Sequence, residues 1–159
     1  MMFADDTTVS VARSKAEIEH TLARYGAQDI VSGFSNARGM AFVEFELSGW
    51  PCRIVLPLPE RNAKEFVFSD TGRKRKEPAQ YKAWEQACRS RWRVLLLLLR
   101  AKLEAIKLGI IAPEQEFLAH IALPDGSTIG FNLAPKLRTA LETGVLPKLL
   151  PAGLEVRHG

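Results

Sequence analysis

The hydrophobic period of the chain changes twice, and each change marks an element. Ile18 and Leu22 fall one turn apart on one face, "SKAE" (Ser14 to Glu17) has capping-box spacing, and Gly26 supplies a left-handed stop, which predicts a helix over Lys15 to Tyr25. From Asp29 to Pro57 apolar residues alternate with polar ones, the period of a strand with one buried face. With four-residue turns at "NARG" (Asn36 to Gly39) and "SGWP" (Ser48 to Pro51), Ile30 faces Phe45, Phe34 faces Ala41, Phe45 faces Ile54 and Val43 faces Leu56. The same register sets Glu46 opposite Arg53 on the far face, so an apolar side and a charge pair emerge from one alignment of three antiparallel strands. "EFVF" (Glu65 to Phe68) extends this pattern as a fourth, edge strand.

Past Pro78 the period returns to helical and holds to about Gly109. Tyr81, Trp84, Cys88, Trp92, Leu95, Leu99, Leu103 and Ile106 form one stripe suited to lie across the apolar sheet face. Leu96, Leu97 and Leu98 point elsewhere, so the middle of this helix is either buried on several sides or covered by a second subunit, a possible homodimer seam. Pro113 suits the first turn of a short helix, Asp125-Gly126 a turn between two short strands, and Pro135 to Thr143 a last helix with Leu137 and Leu141 inward and Gly144 as its stop. "SDTGRKRKEP" (Ser69 to Pro78) has turn formers and no apolar anchor, which predicts a mobile basic loop near 69–79, and Pro147 and Pro151 forbid a regular helix in the tail 145–159. The expected fold is α+β: one domain over 1–159, with a short antiparallel sheet packed on a long central helix and two or three smaller helices.

Composition supports that picture and removes several alternatives. The 159 residues are 47% hydrophobic and 25% charged, a globular mix. The six-residue apolar run Val94 to Leu99 lies between Arg93 and Arg100, far short of the roughly 20 residues a spanning helix needs, so no membrane partner is expected. Asp5 and Asp6 stand where a signal peptide would need basic residues, and Cys52 and Cys88 form neither a disulfide framework nor a zinc motif. A reducing, cytoplasmic setting fits these features.

Charge changes the picture more. The net +4 is unevenly spread: residues 73–107 hold eleven of the 22 Lys and Arg against Glu77, Glu85 and Glu104, giving +8, while the other 124 residues sum to −4. On a helical wheel Lys82, Arg89, Arg93, Arg100 and Lys107 lie within about 40° of one another, a ridge about 37 Å long. Arg73, Lys74, Arg75 and Lys76 precede it as an arm. Such a surface can follow a phosphate backbone of DNA or RNA, or grip an acidic protein or nucleoprotein complex of a host cell, or simply keep a half-buried helix soluble through snorkelling cations.

Candidate chemistry is sparse. His120 and Glu116 are four apart but lack the further ligands of a zinc site and read as a structural pair, His20 beside Glu17 and Glu19 reads in the same way, His158 falls in the tail, and Glu44 with Glu46 reads as a solvated strand face before it reads as a magnesium pair. No nucleophile elbow, phosphate loop or dinucleotide fingerprint occurs, so no catalytic residue, metal or cofactor is expected. Trp84 and Trp92 sit at core spacing, whereas Trp50 at a hairpin tip is a candidate partner contact.

"LARYGA" (Leu22 to Ala27), "RWRVLLLLLRAKLEA" (Arg91 to Ala105), "EFLAHIALPDGSTIG" (Glu116 to Gly130) and "PKLLP" (Pro147 to Pro151) together resemble small proteins encoded by bacteriophages, prophages and mobile elements. That resemblance carries no activity and no catalytic residue. It implies a bacterial cytoplasm and a role in phage DNA metabolism or in disabling a host defence system.

Overall fold

The computed structural model describes the backbone of residues 2–35 and 39–148, and the side chains of residues 11–35 and 39–148. In chain order it contains α1 (Met2–Arg24), strands β1 (Gln28–Ser35), β2 (Met40–Leu47) and β3 (Trp50–Pro57), the short α2 (Lys64–Val67), the long α3 (Glu77–Lys107), α4 (Pro113–Glu116), a 3-10 turn (Leu118–His120) and α5 (Ile129–Thr143). The three strands form one antiparallel sheet in the order β1-β2-β3, and the class is α+β as the periodicities predict.

Strand β2 shows why the sheet forms. Ala41, Val43, Phe45 and Leu47 are buried and the residues between them are not, so every second side chain enters the core. Ile54 and Cys52 join them from β3. The β1–β2 register is the expected one over Val31 to Ser35, with Phe34 opposite Ala41, but an irregularity between Gln28 and Val31, where Asp29 takes a φ of 50°, shifts the pairing at the strand's start.

The β2–β3 register is a correction. Ser48 (φ 52°) and Gly49 (φ 81°) close a two-residue turn, with Leu47 paired to Trp50, instead of the four-residue turn over Ser48 to Pro51. Positive φ at both central residues matches the twist of flanking strands, which is why so tight a turn suffices. The alignment is therefore offset by two residues: Val43 faces Ile54, Phe45 faces Cys52, and Arg53 lies opposite Glu44, not Glu46. Because side chains alternate with period two, an offset of two leaves every residue on its expected face.

Helix α3 lays Cys88, Trp92, Leu95, Leu99 and Leu103 into the core, and α1 runs beside it in the same direction, contributing Ile18 and Leu22. Lys15 Nζ sits 5.5 Å from the centre of the Trp92 ring and the Tyr25 hydroxyl donates to Glu104 Oε2 at 2.5 Å, tying the two helices together midway and at their C-terminal ends. Leu96 is buried, so it belongs to the core and not to an outward seam, while Leu97 and Leu98 do face solvent.

Elsewhere three expectations are corrected. "EFVF" is not a strand: Lys64–Val67 makes one helical turn that buries Phe66, because four residues carry too few repeats for periodicity to distinguish the two. Helix α1 begins well before Ser14, since no Gly or Pro interrupts residues 2–25, and the capping-box spacing lies in its interior. Helix α5 starts at Ile129, capped by Thr128 Oγ1 accepting from the Phe131 amide at 3.2 Å, and carries Pro135 inside it. Leu137 and Leu141 do not point inward; Leu141 is 88% exposed. The Asp125-Gly126 turn joins a single bridged pair, Ala122 to Thr128, and Gly144 ends α5 in the left-handed conformation. Pro151, His158 and the turn residues 36–38 lie outside the described residues.

Candidate functional site

The basic segment is organised by two devices, a folded turn and the outer side of α3. In the loop, Ser69 accepts from the Gly72 amide through its carbonyl, its own amide donates to Arg73 O, and the Arg75 amide donates to Val67 O, each at 2.8 Å. Arg75 also donates from Nη1 to Glu65 O at 3.0 Å, and Gln80 Nε2 donates to Arg75 O at 2.7 Å. The expected anchorless arm thus has an anchor, Arg75, whose side chain is engaged by the protein's own backbone. Arg73, Lys74 and Lys76 remain exposed.

On α3 the ridge divides in the same way. Arg89 is held by Glu85 at 3.5 Å and by Gln86 at 3.0 Å, and Lys107 Nζ lies 5.8 Å from the centre of the Tyr25 ring. Lys82, Arg93 and Arg100 are exposed and make no ion pair among the described residues. The acids of the segment are all engaged elsewhere: Glu77 with Arg61 at 3.8 Å, Glu85 with Arg89, and Glu104 with the Tyr25 hydroxyl. Among the described residues, six of the nine expected contact residues therefore project with their side chains in no ion pair, backbone bond or ring contact, three from the turn and three from the helix.

One cation was missed by the sequence reading. A groove of about 430 Å³ between α1 and α3 is lined by Arg13 together with Arg89 and Arg93, so α1 adds a charge beside the ridge. Glu17 shares the groove, yet among the described residues no ion pair joins it to either α3 arginine. Arg13 is 76 positions from Arg89, and only the tertiary packing of two helices brings them together.

The candidate catalytic groups are placed in structural roles. Glu44 lies 3.4 Å from Arg53, whose Nη1 donates to Gly126 O at 3.2 Å, so the strand pair serves the junction between β3 and the Asp125-Gly126 turn. Glu116 pairs with Lys102 and not with His120. Cys52 and Cys88 are free and buried, and burial pushes both thiols up to about 11, which keeps them protonated and unreactive. Among the described residues no cluster of three His, Cys, Asp or Glu could hold a metal ion. Among the described residues no helix is long and apolar enough to cross a membrane. Trp92 is core, Trp84 donates from its ring nitrogen to Pro59 O at 2.8 Å, and Trp50 is exposed on the hairpin.

His120 supplies a pH dependence. Burial first, and then the charge of Lys102, holds its pKa below the usual 6.5, against a hydrogen bond to the Arg53 backbone that acts the other way. The fold thus favours the neutral ring. A base whose folded pKa is depressed contributes stability that is complete above the unfolded value and is lost as pH falls through the folded one. The urea midpoint should be lower at pH 5.5 than at pH 7.5, and His120→Gln should shrink that difference. An equal difference in the variant would assign the effect to other groups.

Set beside known proteins, the chain has no match: no family model fits it, and no curated protein or solved structure is similar to it.

Proposed function

We propose that the protein acts by binding and not by catalysis, and that its ligand is nucleic acid. Phosphates are contacted by Arg73, Lys74 and Lys76 of the turn and by Lys82, Arg93 and Arg100 of α3. One observation carries this reading: every carboxylate within the +8 segment already has a partner other than these six cations. Unneutralised charge of one sign along a helix attracts a polyanion and releases its condensed counterions, the main source of sequence-independent affinity.

A salt titration tests the proposal. With six phosphates neutralised, log K should fall with log[salt] at a slope of about −5 on duplex DNA, an affinity loss of about 10³-fold between 50 and 200 mM salt. Binding that ignores salt, or no binding to DNA or RNA at 50 mM salt, overturns it. A second reading is an inhibitor or adaptor for a protein or nucleoprotein complex, favoured by the apolar residues that α3 leaves in solvent: Val94, Leu97 and Leu98 are 63%, 58% and 47% exposed.

A further inference from the structure

Helix α3 carries two seams. The inner one, through Cys88, Trp92, Leu95, Leu99 and Leu103, is filled by the sheet and α1. The outer one runs through Ala87, Ser90, Val94, Leu97 and Ala101 at steps of 3, 4, 3 and 4 residues, the a/d repeat of a coiled coil, and resumes at Leu108 past Glu104, which takes the intervening d position and is bonded to the Tyr25 hydroxyl. All but Ala87 and Glu104 are exposed. In that frame the position before Val94, Ala101 and Leu108, which flanks the seam, is occupied by Arg93, Arg100 and Lys107 in three successive heptads, the last of them beside the Tyr25 ring. We infer that this outer seam docks an acidic amphipathic α-helix of another protein, apolar residues against Val94, Leu97 and Leu108 and carboxylates against the three cations.

Charge selects this occupant over a second copy. In an antiparallel self-pairing the cation columns of the two helices face each other. In a parallel one Arg93 and Arg100 meet residues five positions on, Leu98 and Ala105, and no charge is neutralised. A partner with Glu or Asp at the facing positions removes the repulsion and gains the pairs. The inference shares Arg93 and Arg100 with the nucleic-acid reading, and the apolar repeat through Val94 and Leu97 is what separates the two.

The probe is a 28-residue synthetic peptide with Ile and Leu at a and d and Glu at e and g, matched by one with Lys at e and g, followed by fluorescence anisotropy. The acidic peptide should bind the full chain one to one, at least tenfold more tightly than the basic one. Arg93→Glu with Arg100→Glu should reverse the preference, the signature of register-specific pairing. Val94→Ser with Leu97→Ser changes no charge and should weaken the acidic peptide by tenfold or more while leaving the thermal melt and DNA affinity unmoved. Equal binding of both peptides, or an unmoved preference in the charge-swapped variant, overturns the inference. So does a loss of DNA affinity in the serine variant as large as its loss of peptide, or a wild-type dimer that the serine variant dissolves.

Discussion

Replacing Trp92 by alanine is expected to destabilise the fold by about 3–5 kcal/mol, the largest effect of any single change considered. The indole is 1% exposed and belongs to the one buried cluster that Leu95 and Leu99 of α3, Ile18 and Leu22 of α1, and Val43 and Phe45 of β2 share. Truncation removes its transfer free energy and leaves a void that rigid neighbours fill only partly. It also removes the ring beneath Lys15. With a urea m-value of about 2 kcal/mol/M for a chain of this size, the midpoint should drop by about 1.5–2.5 M. A drop below about 0.3 M would show that the two helices and the sheet do not share one core. Trp92→Phe should retain most of the stability.

The second large effect falls on binding and leaves the fold alone. Neutralising Lys82, Arg93 and Arg100 together as glutamines should weaken duplex DNA by about 10²–10³-fold at 0.1 M salt and flatten the log-log slope by about 2.7, at 0.9 per phosphate contact. All three side chains are exposed and make no ion pair among the described residues, so the urea midpoint should be unchanged. Arg75→Gln provides a contrast. Its guanidinium is bonded to the backbone at Glu65, so its removal should disturb the turn more than the slope. A triple variant that binds with the parental slope would remove α3 from the interface.

These expectations show which parts of the molecule can be read from the residues. The long helix was legible because its repeat spans 31 residues, enough for one face to declare itself against any background. The sheet was legible in its faces but not in its alignment: the apolar alternation of β2 is indifferent to an offset of two, and the choice was made by Ser48 and Gly49 accepting positive φ, a property of two residues. Short segments were not legible. Lys64–Val67 offers a single turn, and α5 reads as amphipathic although its apolar side meets solvent, because a sequence shows that a face is apolar without showing what covers it. In the candidate site, composition located the cations, whereas their freedom was set by tertiary partners. Arg75 was lost to Glu65 O and Arg13 was gained through the packing of α1, whereas Arg89 was lost to Glu85 four residues before it on the same helix, a pair that the spacing itself offers.

The parallel pairing of α1 with α3 also governs how the chain can be made. Tyr25 and Glu104, which clasp the two helices, are 79 positions apart, and the whole sheet lies between them in sequence. On a ribosome adding about 5–20 residues per second, the meander is complete at Pro57 but waits about 3–10 s for Lys107, its apolar side uncovered meanwhile. Assembly is therefore closed late, by a clasp that joins the first helix to the end of the third, and a chain that stops between the meander and that clasp should expose the apolar side of its sheet instead of forming a smaller folded protein.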